Sequence, residues 1–167
     1  MPLDLVELRA APQFAAEVAA WLHAEWYAAR GEALPDLQQR LLDGPALRFA
    51  ACMDDALVGS FTLEETADPV TGQPLLDCLS NLFVEPASRG RGIGRQLCEA
   101  ALEQARLRGI ARLNLFTATH AAWYAAMGWD YVNLAPMQSR GQDVTAIWMA
   151  REVQPLARAR TVASCSA

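Results

Sequence analysis

The sequence predicts a mixed α/β (α+β) domain with a central sheet of about seven strands and about four helices, in the order β-α-α-β-β-β-α-β-α-β-β. Short runs that alternate apolar and polar residues predict strands. Longer segments with apolar residues every three or four positions predict helices. Residues 79–97 contain both signals: an apolar run that stops at Glu85-Pro86, a turn rich in glycine and arginine, and then helical spacing.

The first half of the chain is predicted as a strand, two helices and three strands, at residues 3–8, 12–30, 35–42, 47–53, 57–64 and 75–84. Pro12 suits the start of a helix, and Gly31 suits its end. Asp54-Asp55 forms a tight turn between two alternating runs, which predicts an antiparallel hairpin of half-buried strands.

The second half is predicted as a helix, a strand, a short helix and a hairpin, at residues 93–108, 111–116, 118–127, 129–134 and 144–150. The strand at 111–116 follows a helix that follows a strand, so it is expected to pair parallel with 75–84 through a right-handed crossover. Residues 136–142 read as a loop. A single domain is expected over residues 1–152, with a frayed tail over 153–167.

Composition excludes several classes of protein. The chain has 167 residues, enough for one domain with a core, and a net charge of −5, which disfavours nucleic acid as a partner. No apolar run approaches the length of a membrane span, and the N-terminus lacks the pattern of a signal peptide. The four cysteines contain no Cys-x-x-Cys pair, so we expect reduced thiols, no metal and a cytoplasmic location.

The turn at residues 89–94 has the composition of a phosphate-binding site. Glycines let the backbone approach a ligand, and the first N–H groups of the following helix have no partner inside the helix. The helix dipole and the side chains of Arg89, Arg91 and Arg95 add positive charge. A diphosphate or triphosphate is the expected ligand.

Two familiar phosphate-binding motifs do not match the residues of this turn. The P-loop requires a lysine after its last glycine, and this chain contains none, since all 14 of its basic residues are arginine. The dinucleotide fingerprint would place a glycine at position 95, which is Arg95. The pattern that remains is Arg-x-x-Gly-x-Gly, carried by Arg89, Gly92 and Gly94.

This pattern resembles the acyl-coenzyme A pyrophosphate loop of the GNAT superfamily of N-acetyltransferases, here of a small bacterial member. The order of predicted elements is also that of the GNAT fold, so the resemblance covers about residues 3–151. It implies acetyl-coenzyme A as co-substrate. It also implies that the coenzyme is bound by residues of the strand, the turn and the next helix: Leu82, Phe83, Val84, Arg89, Gly90, Arg91, Gly92, Ile93, Gly94 and Arg95.

A second motif supports the same family. Residues 123–129, Trp-Tyr-Ala-Ala-Met-Gly-Trp, resemble its aromatic-Tyr-x-x-x-Gly-Phe/Trp signature. The resemblance assigns to Tyr124 a contact with the coenzyme and the role of the general acid that protonates the leaving thiolate. One departure is Thr117, where many members have an asparagine that contacts the coenzyme arm.

The remaining roles are less fixed by the sequence. The resemblance implies a bulge that splays two parallel central strands, and Asn81 is a candidate for its position. The N–H of Leu82 or Phe83 would polarise the thioester carbonyl. Glu64 is the first candidate for general base and Asp77 the second, with His120 a weaker one. His23, Glu25 and Tyr27, in the first helix, are expected on the acceptor side.

The function expected from the sequence is transfer of an acetyl group to a primary amine, on a small molecule. Two alternatives remain open: a non-catalytic module that binds acyl-coenzyme A, and an enzyme whose acceptor is a protein amine. The edge of the final hairpin favours pairing with a second copy, which would give a homodimer.

Overall fold

The computed structural model describes residues 2–156, and its centre is one mixed sheet. The seven strands of that sheet are β1 (Asp4–Glu7), β2 (Leu47–Met53), β3 (Ala56–Ala67), β4 (Leu75–Val84), β5 (Arg112–Thr117), β6 (Asp130–Ser139) and β7 (Gln142–Glu152). Their spatial order is β1-β2-β3-β4-β5-β7-β6. All neighbours are antiparallel except β4 and β5, which run parallel, so the predicted mixed sheet and its crossover are confirmed.

Helices cover both faces of the sheet. The α-helices of residues 2–156 are α1 (Ala15–Leu22), α2 (Leu34–Leu42), α3 (Ile93–Leu107) and α4 (Ala121–Ala125). One apolar cluster joins α1 and α2 to one face of the sheet, called here the α1–α2 face. A larger cluster joins α3, and residues beside α4, to the opposite face, called here the α3 face.

The first helix changes its winding before it ends. A 3₁₀ turn at Pro12–Phe14 leads into α1, which continues as a π-helical turn at His23–Tyr27 and a 3₁₀ turn at Ala28–Arg30. The N–H of Ala28 donates to the carbonyl of His23, the five-residue spacing of a π-helix. Gly31 then ends the helical segment with a φ of 76°, at the predicted position.

Two predicted features of the C-terminal third are wrong. Residues 136–142 do not form a long loop, because β6 and β7 stay paired up to Ser139 and Gln142 and turn at Arg140-Gly141. Pro136 is tolerated because β6 is an edge strand, where a proline needs no ladder partner for the N–H it lacks. The short helix α4 begins at Ala121 rather than 118, since the Thr117 hydroxyl accepts a hydrogen bond from the N–H of His120.

The half-buried character predicted for the hairpin of β2 and β3 is also wrong. Arg48 on β2 is only 8% exposed, and Ser60 and Thr62 on β3 are each 2% exposed. The alternating polar residues are buried because α1 and α2 cover the face on which they lie. The polar side of this hairpin therefore faces the interior, where it can form part of a site.

The chain beyond β7 is described only to Leu156. Val153 is buried, and its N–H donates to the carbonyl of Ala111. Residues 157–167 of the predicted tail lie outside the described residues. Within residues 2–156, no helix combines the length and the apolar character that a membrane span requires.

Candidate active site

The strand β4 carries a bulge at its centre. Asn81 and Leu82 together stand opposite the single residue Phe61 of β3, and Asn81 has a φ of 48°. This backbone region is unusual for a residue other than glycine, although asparagine adopts it more readily than most. The bulge predicted at Asn81 is therefore confirmed.

A slot lies between β4 and β5 beyond the bulge. In the described chain these strands pair at Cys78 and Asn114, near the beginning of each run, and no later residues pair. In the described chain, the backbone groups of β4 that point toward β5 after Asn81 thus have no strand partner. An extended ligand can add to such an exposed strand edge through main-chain hydrogen bonds.

The directions of the backbone N–H groups distinguish Leu82 from Phe83, the two residues proposed to polarise the thioester carbonyl. The N–H of Glu85 donates to Val58 of β3 at 2.9 Å, and Phe83 pairs with Ser60 of the same strand. Because N–H groups alternate sides along a strand, Phe83 also directs its N–H toward β3. Carried back along the strand, the same alternation assigns the N–H groups of Val84 and Leu82 to the side of the slot, and we therefore favour Leu82 over Phe83.

Asn114 holds the two strands together where the slot begins. This side chain is 3% exposed, and its Nδ2 donates to the carbonyl of Asp77 at 3.1 Å. Its Oδ1 accepts a hydrogen bond of 2.9 Å from Nε1 of Trp148 on β7. In the sequence, Asn114 is a single amide inside an apolar strand, and its role was not predicted from that pattern.

The glycine-rich turn presents a run of unpaired N–H groups at the end of β4. Gly92 caps α3, and Gly90 and Gly92 have φ of 75° and 76°. Within the described chain, none of the N–H groups of residues 90–95 donates to a backbone oxygen. A Cβ added at either glycine would meet no atom within 4 Å, so the space in front of the turn is open. Such a concave row of donors at a helix N-terminus suits a phosphate group.

The arginines around this turn differ in how they are held. Arg89 donates from Nε to the carbonyl of Val84 at 3.0 Å and lies over the ring of Phe83. Arg91 reaches Sδ of Met53 at 3.5 Å, and Arg95 is exposed on the first turn of α3. Ile93 is buried, so only its backbone can meet a ligand. The turn therefore offers backbone donors surrounded by exposed guanidinium groups.

The two sequence motifs meet at Gly94. A Cβ on this residue would lie 3.2 Å from Cζ2 and 3.3 Å from Cη2 of Trp123. A side chain at this position would therefore push Trp123 away from the first turn of α3 by a few tenths of an ångström. The ring of Tyr124 stands edge-on to Trp123 at 4.9 Å and to Trp129 at 6.0 Å. This packing fixes the position of the tyrosine next to α3.

Tyr124 is half-buried, and its hydroxyl is free within residues 2–156. Its side chain packs against the apolar cluster of the α3 face, and the hydroxyl makes no hydrogen bond within residues 2–156. Burial, with a smaller contribution from the thiol of Cys98, raises the pKa of Tyr124 well above its usual value. The phenol is therefore protonated at any physiological pH and available as a proton donor.

The two candidate bases lie on opposite faces of the sheet. Glu64 shares the α1–α2 face with Ser80, whose Oγ donates to Oε1 of Glu64 at 2.5 Å. Asp77 stands directly opposite Glu65, and strand alternation places both on the α3 face. Burial and the charge of Glu65 raise the pKa of Asp77. Because Ser80 immediately precedes the bulge, Glu64 is the carboxylate that the structure connects to it.

The three residues predicted on the acceptor side have different partners. Nε2 of His23 is 2.8 Å from the carbonyl oxygen of Glu32, and Glu25 forms an ion pair with Arg140. Tyr27 alone reaches the bulged strand, since its hydroxyl donates to Oδ1 of Asn81 at 2.9 Å. His120 is hydrogen-bonded through Nδ1 to its neighbour Thr119.

The turn of the final hairpin closes against the segment between α1 and α2. A Cβ on Gly141 would lie 2.4 Å from the carbonyl oxygen of Ala29, so the two backbones touch. Arg30 donates to the carbonyl of Gln138 at 3.0 Å. A cavity of about 610 Å³, lined by residues that include Arg48, Glu64 and Cys78, opens toward the beginning of β4.

The bulged β4, its divergence from β5 and the donors at the start of α3 define an acyltransferase fold of the kind the sequence resemblance implies. Residues 15–129 match the profile of the Acetyltransferase (GNAT) family. This is more than half of the chain, and the chain therefore belongs to that family.

Solved structures support the fold. The aminoglycoside 6'-acetyltransferase type Ii is 22% identical, with a TM-score of 0.71 over 94% of this chain and 100% of its own. An aminoglycoside 6'-N-acetyltransferase complexed with coenzyme A is 20% identical, with a TM-score of 0.71 over 92% and 99%. The enzyme from Enterococcus faecium is 20% identical, with a TM-score of 0.69 over 94% and 99%. A comparison with curated protein sequences found no significant match.

Proposed function

We propose that this protein transfers the acetyl group of acetyl-coenzyme A to a primary amine of a small molecule. The observation that carries the proposal is the row of unpaired N–H groups at residues 90–95, at the end of β4 where the slot beside β5 is open. A pyrophosphate at that turn lets an extended arm run along Leu82 and Val84 with its thioester near the bulge.

The residues around the slot can serve each part of this reaction. Attack by the amine forms a carbon–nitrogen bond, breaks the carbon–sulfur bond and leaves a thiolate. The N–H of Leu82 supports the charge that develops on the carbonyl oxygen. The phenol of Tyr124 donates its proton to the thiolate, and the amine proton passes to Glu64, directly or through Ser80 and water.

The enclosure of the α1–α2 face supports a small acceptor. The contact between Gly141 and Ala29, and the ion pair of Arg140 with Glu25, connect the final hairpin to the first helical segment. Such a connection leaves less room for a folded protein surface than an open groove would. Aminoglycosides, for which three structural neighbours are named, form one subclass of small amines to include in a screen.

Titration calorimetry with acetyl-coenzyme A, followed by an amine screen that measures thiol release, tests the proposal. We expect micromolar binding and amine-dependent release of free coenzyme A. Binding without release for any amine would favour the non-catalytic module. Release only with peptide amines would favour a protein acceptor, and absence of binding would contradict the assignment of the turn.

Glu64→Gln tests the base. We expect turnover to fall at least about 100-fold near neutral pH, because a neutral amide cannot accept the amine proton. The loss should be smaller at alkaline pH, where the amine is already neutral. A pH–rate profile measures this difference.

Glu152→Gln is the control, since Glu152 is an exposed carboxylate at the end of β7 and does not line the cavity. It removes the same charge from another strand of the sheet and should leave the profile unchanged. Asp77→Asn tests the second candidate in the same assay. An unaltered profile in the Glu64 variant would remove Glu64 from the mechanism.

The homodimer remains a prediction. β6 is an edge strand and leaves Tyr131 and Leu134 exposed, as pairing with a second copy would require. Size-exclusion chromatography with light scattering would give the oligomeric state.

A further inference from the structure

We infer that Tyr27 is a positioning residue that holds the bulge of β4 in the geometry needed for polarising the acyl carbonyl. The inference rests on the proposed function, and it concerns a role that the sequence did not indicate. The sequence placed Tyr27 on the wall of the acceptor pocket. The structure instead ties its hydroxyl to Asn81, the bulge residue itself.

The backbone at the bulge is strained. Asn81 has a φ of 48°, a conformation that a residue other than glycine adopts at some cost in free energy. Such a conformation persists when the surroundings hold it in place. The 2.9 Å hydrogen bond from the Tyr27 hydroxyl to Asn81 Oδ1 is the side-chain interaction that does so.

The side chain of Tyr27 is held rigidly. Its side chain is 9% exposed, and two guanidinium groups lie over its ring, that of Arg30 at 5.2 Å and that of Arg40 at 4.9 Å from the centroid. Arg40 is itself fixed by two hydrogen bonds to Glu32, each of 3.0 Å. The hydroxyl is therefore presented by a ring that has little freedom to move.

The helix that carries Tyr27 is locally wound as a π-helix. Tyr27 is the last residue of the π-helical turn, and π-helical turns occur frequently at functional sites. Trp21 and Trp26, from the same helical segment, contact the ring of Phe83 with centroids 5.4 Å and 6.2 Å away. The segment thus contacts β4 on both sides of Leu82. Tyr27 is hydrogen-bonded to Asn81 before it, and the two tryptophans pack against Phe83 after it.

The consequence concerns the N–H of Leu82. This group follows Asn81 directly and faces the slot, so its direction depends on the backbone of Asn81. Loss of the Tyr27 hydrogen bond lets the bulge relax and turns the N–H away from the carbonyl oxygen. Tyr27 acts on the reaction through Leu82, without touching the substrate.

Tyr27→Phe tests the inference, since it removes the hydroxyl and keeps the ring in contact with the two guanidinium groups. We expect kcat to fall about 10-fold, the order of effect of misplacing one oxyanion donor, with amine KM and coenzyme affinity within about twofold. The infrared stretch of the ¹³C-labelled thioester carbonyl, bound to each variant, should move toward its value in free acetyl-coenzyme A. Tyr131→Phe, at an exposed tyrosine of β6, is the matched control and should change none of these quantities.

A double-mutant cycle that combines Tyr27→Phe with Asn81→Gly measures the coupling between the two side chains. Glycine is chosen because it keeps the left-handed backbone accessible while removing the amide. If the two side chains act as one unit, the double variant loses no more than the larger single loss. Additive losses would overturn the inference. A change confined to amine KM would do so too, since it would make Tyr27 part of the pocket wall.

A measurement on the free protein separates this inference from the proposed function. The backbone ¹⁵N–¹H resonance of Leu82 should shift in the Tyr27→Phe variant and stay in place in the Tyr131→Phe control. An unmoved Leu82 resonance would overturn the inference even in an active enzyme. A shifted resonance in a protein that binds no acetyl-coenzyme A would instead support the contact and contradict the proposed function.

Discussion

Replacing Gly92 by glutamate is expected to abolish coenzyme binding, with affinity lowered at least about 100-fold. The substituted side chain begins at the N-cap of α3, where the N–H groups of residues 90–95 are unpaired. Its carboxylate would occupy the donors intended for the pyrophosphate and repel the phosphate charge. Titration calorimetry with acetyl-coenzyme A measures the change directly.

The chain offers a closely matched control for this experiment. Gly72, in the loop between β3 and β4, has a φ of 78°, and a Cβ there also meets no atom within 4 Å. Gly72→Glu therefore introduces the same charge and similar backbone strain away from the turn. It should bind the coenzyme normally. Normal binding by a folded Gly92→Glu variant would show that the turn does not hold the pyrophosphate.

Replacing Tyr124 by phenylalanine is expected to lower turnover about 100-fold while coenzyme affinity stays within about twofold, which is the range for losing a general acid. The ring packing against Trp123 and Trp129 survives the change, since only the unpaired hydroxyl is removed. Steady-state thiol release gives the turnover, and calorimetry gives the affinity. Full activity in this variant would remove Tyr124 from proton transfer.

The raised pKa of Tyr124 adds a test in the wild-type protein. An unperturbed phenol ionises near pH 10, but burial keeps this one protonated to higher pH. The wild-type rate should therefore show no loss from this group below about pH 10. The same shift acts on stability: above about pH 10 the unfolded chain releases the tyrosine proton and the folded chain keeps it, so stability falls as pH rises further.

The positions of the strands and long helices followed from sequence pattern because their signals are local. β2 and β4 have the predicted bounds, and α3 ends one residue before the predicted end. Periodicity and glycine punctuation are properties of a short window of sequence, and they suffice for such elements. The bulge was expected from the family resemblance with Asn81 as its candidate position, and asparagine tolerates the left-handed backbone found there.

The contacts that organise the site are not local, and the sequence did not reveal them. Tyr27 and Asn81 are separated by 54 residues, and Asn114 and Trp148 by 34. Nothing near Tyr27 distinguishes a hydroxyl that faces β4 from one that faces solvent. The burial of Ser60 and Thr62 was missed for the same reason, since their strand alternates as a half-exposed strand would.

The choice between Glu64 and Asp77 shows how one residue of register decides a role. Both are carboxylates on neighbouring strands, and the sequence gives each an exposed position. In the sheet, Glu64 pairs with Cys78, while Asp77 pairs with Glu65. That offset sends the two carboxylates to opposite faces, and only Glu64 contacts Ser80 beside the bulge.

The cavity and the glycine-rich turn lie at opposite ends of β4, and under the proposed function this arrangement gives each ligand its own entrance. The coenzyme enters past Val84, and the amine enters through the cavity at the beginning of β4, which Glu64 lines. Neither ligand crosses the other's entrance, so either can bind first. The two then meet at the bulge in a ternary complex, and initial-rate plots for the two substrates intersect instead of running parallel.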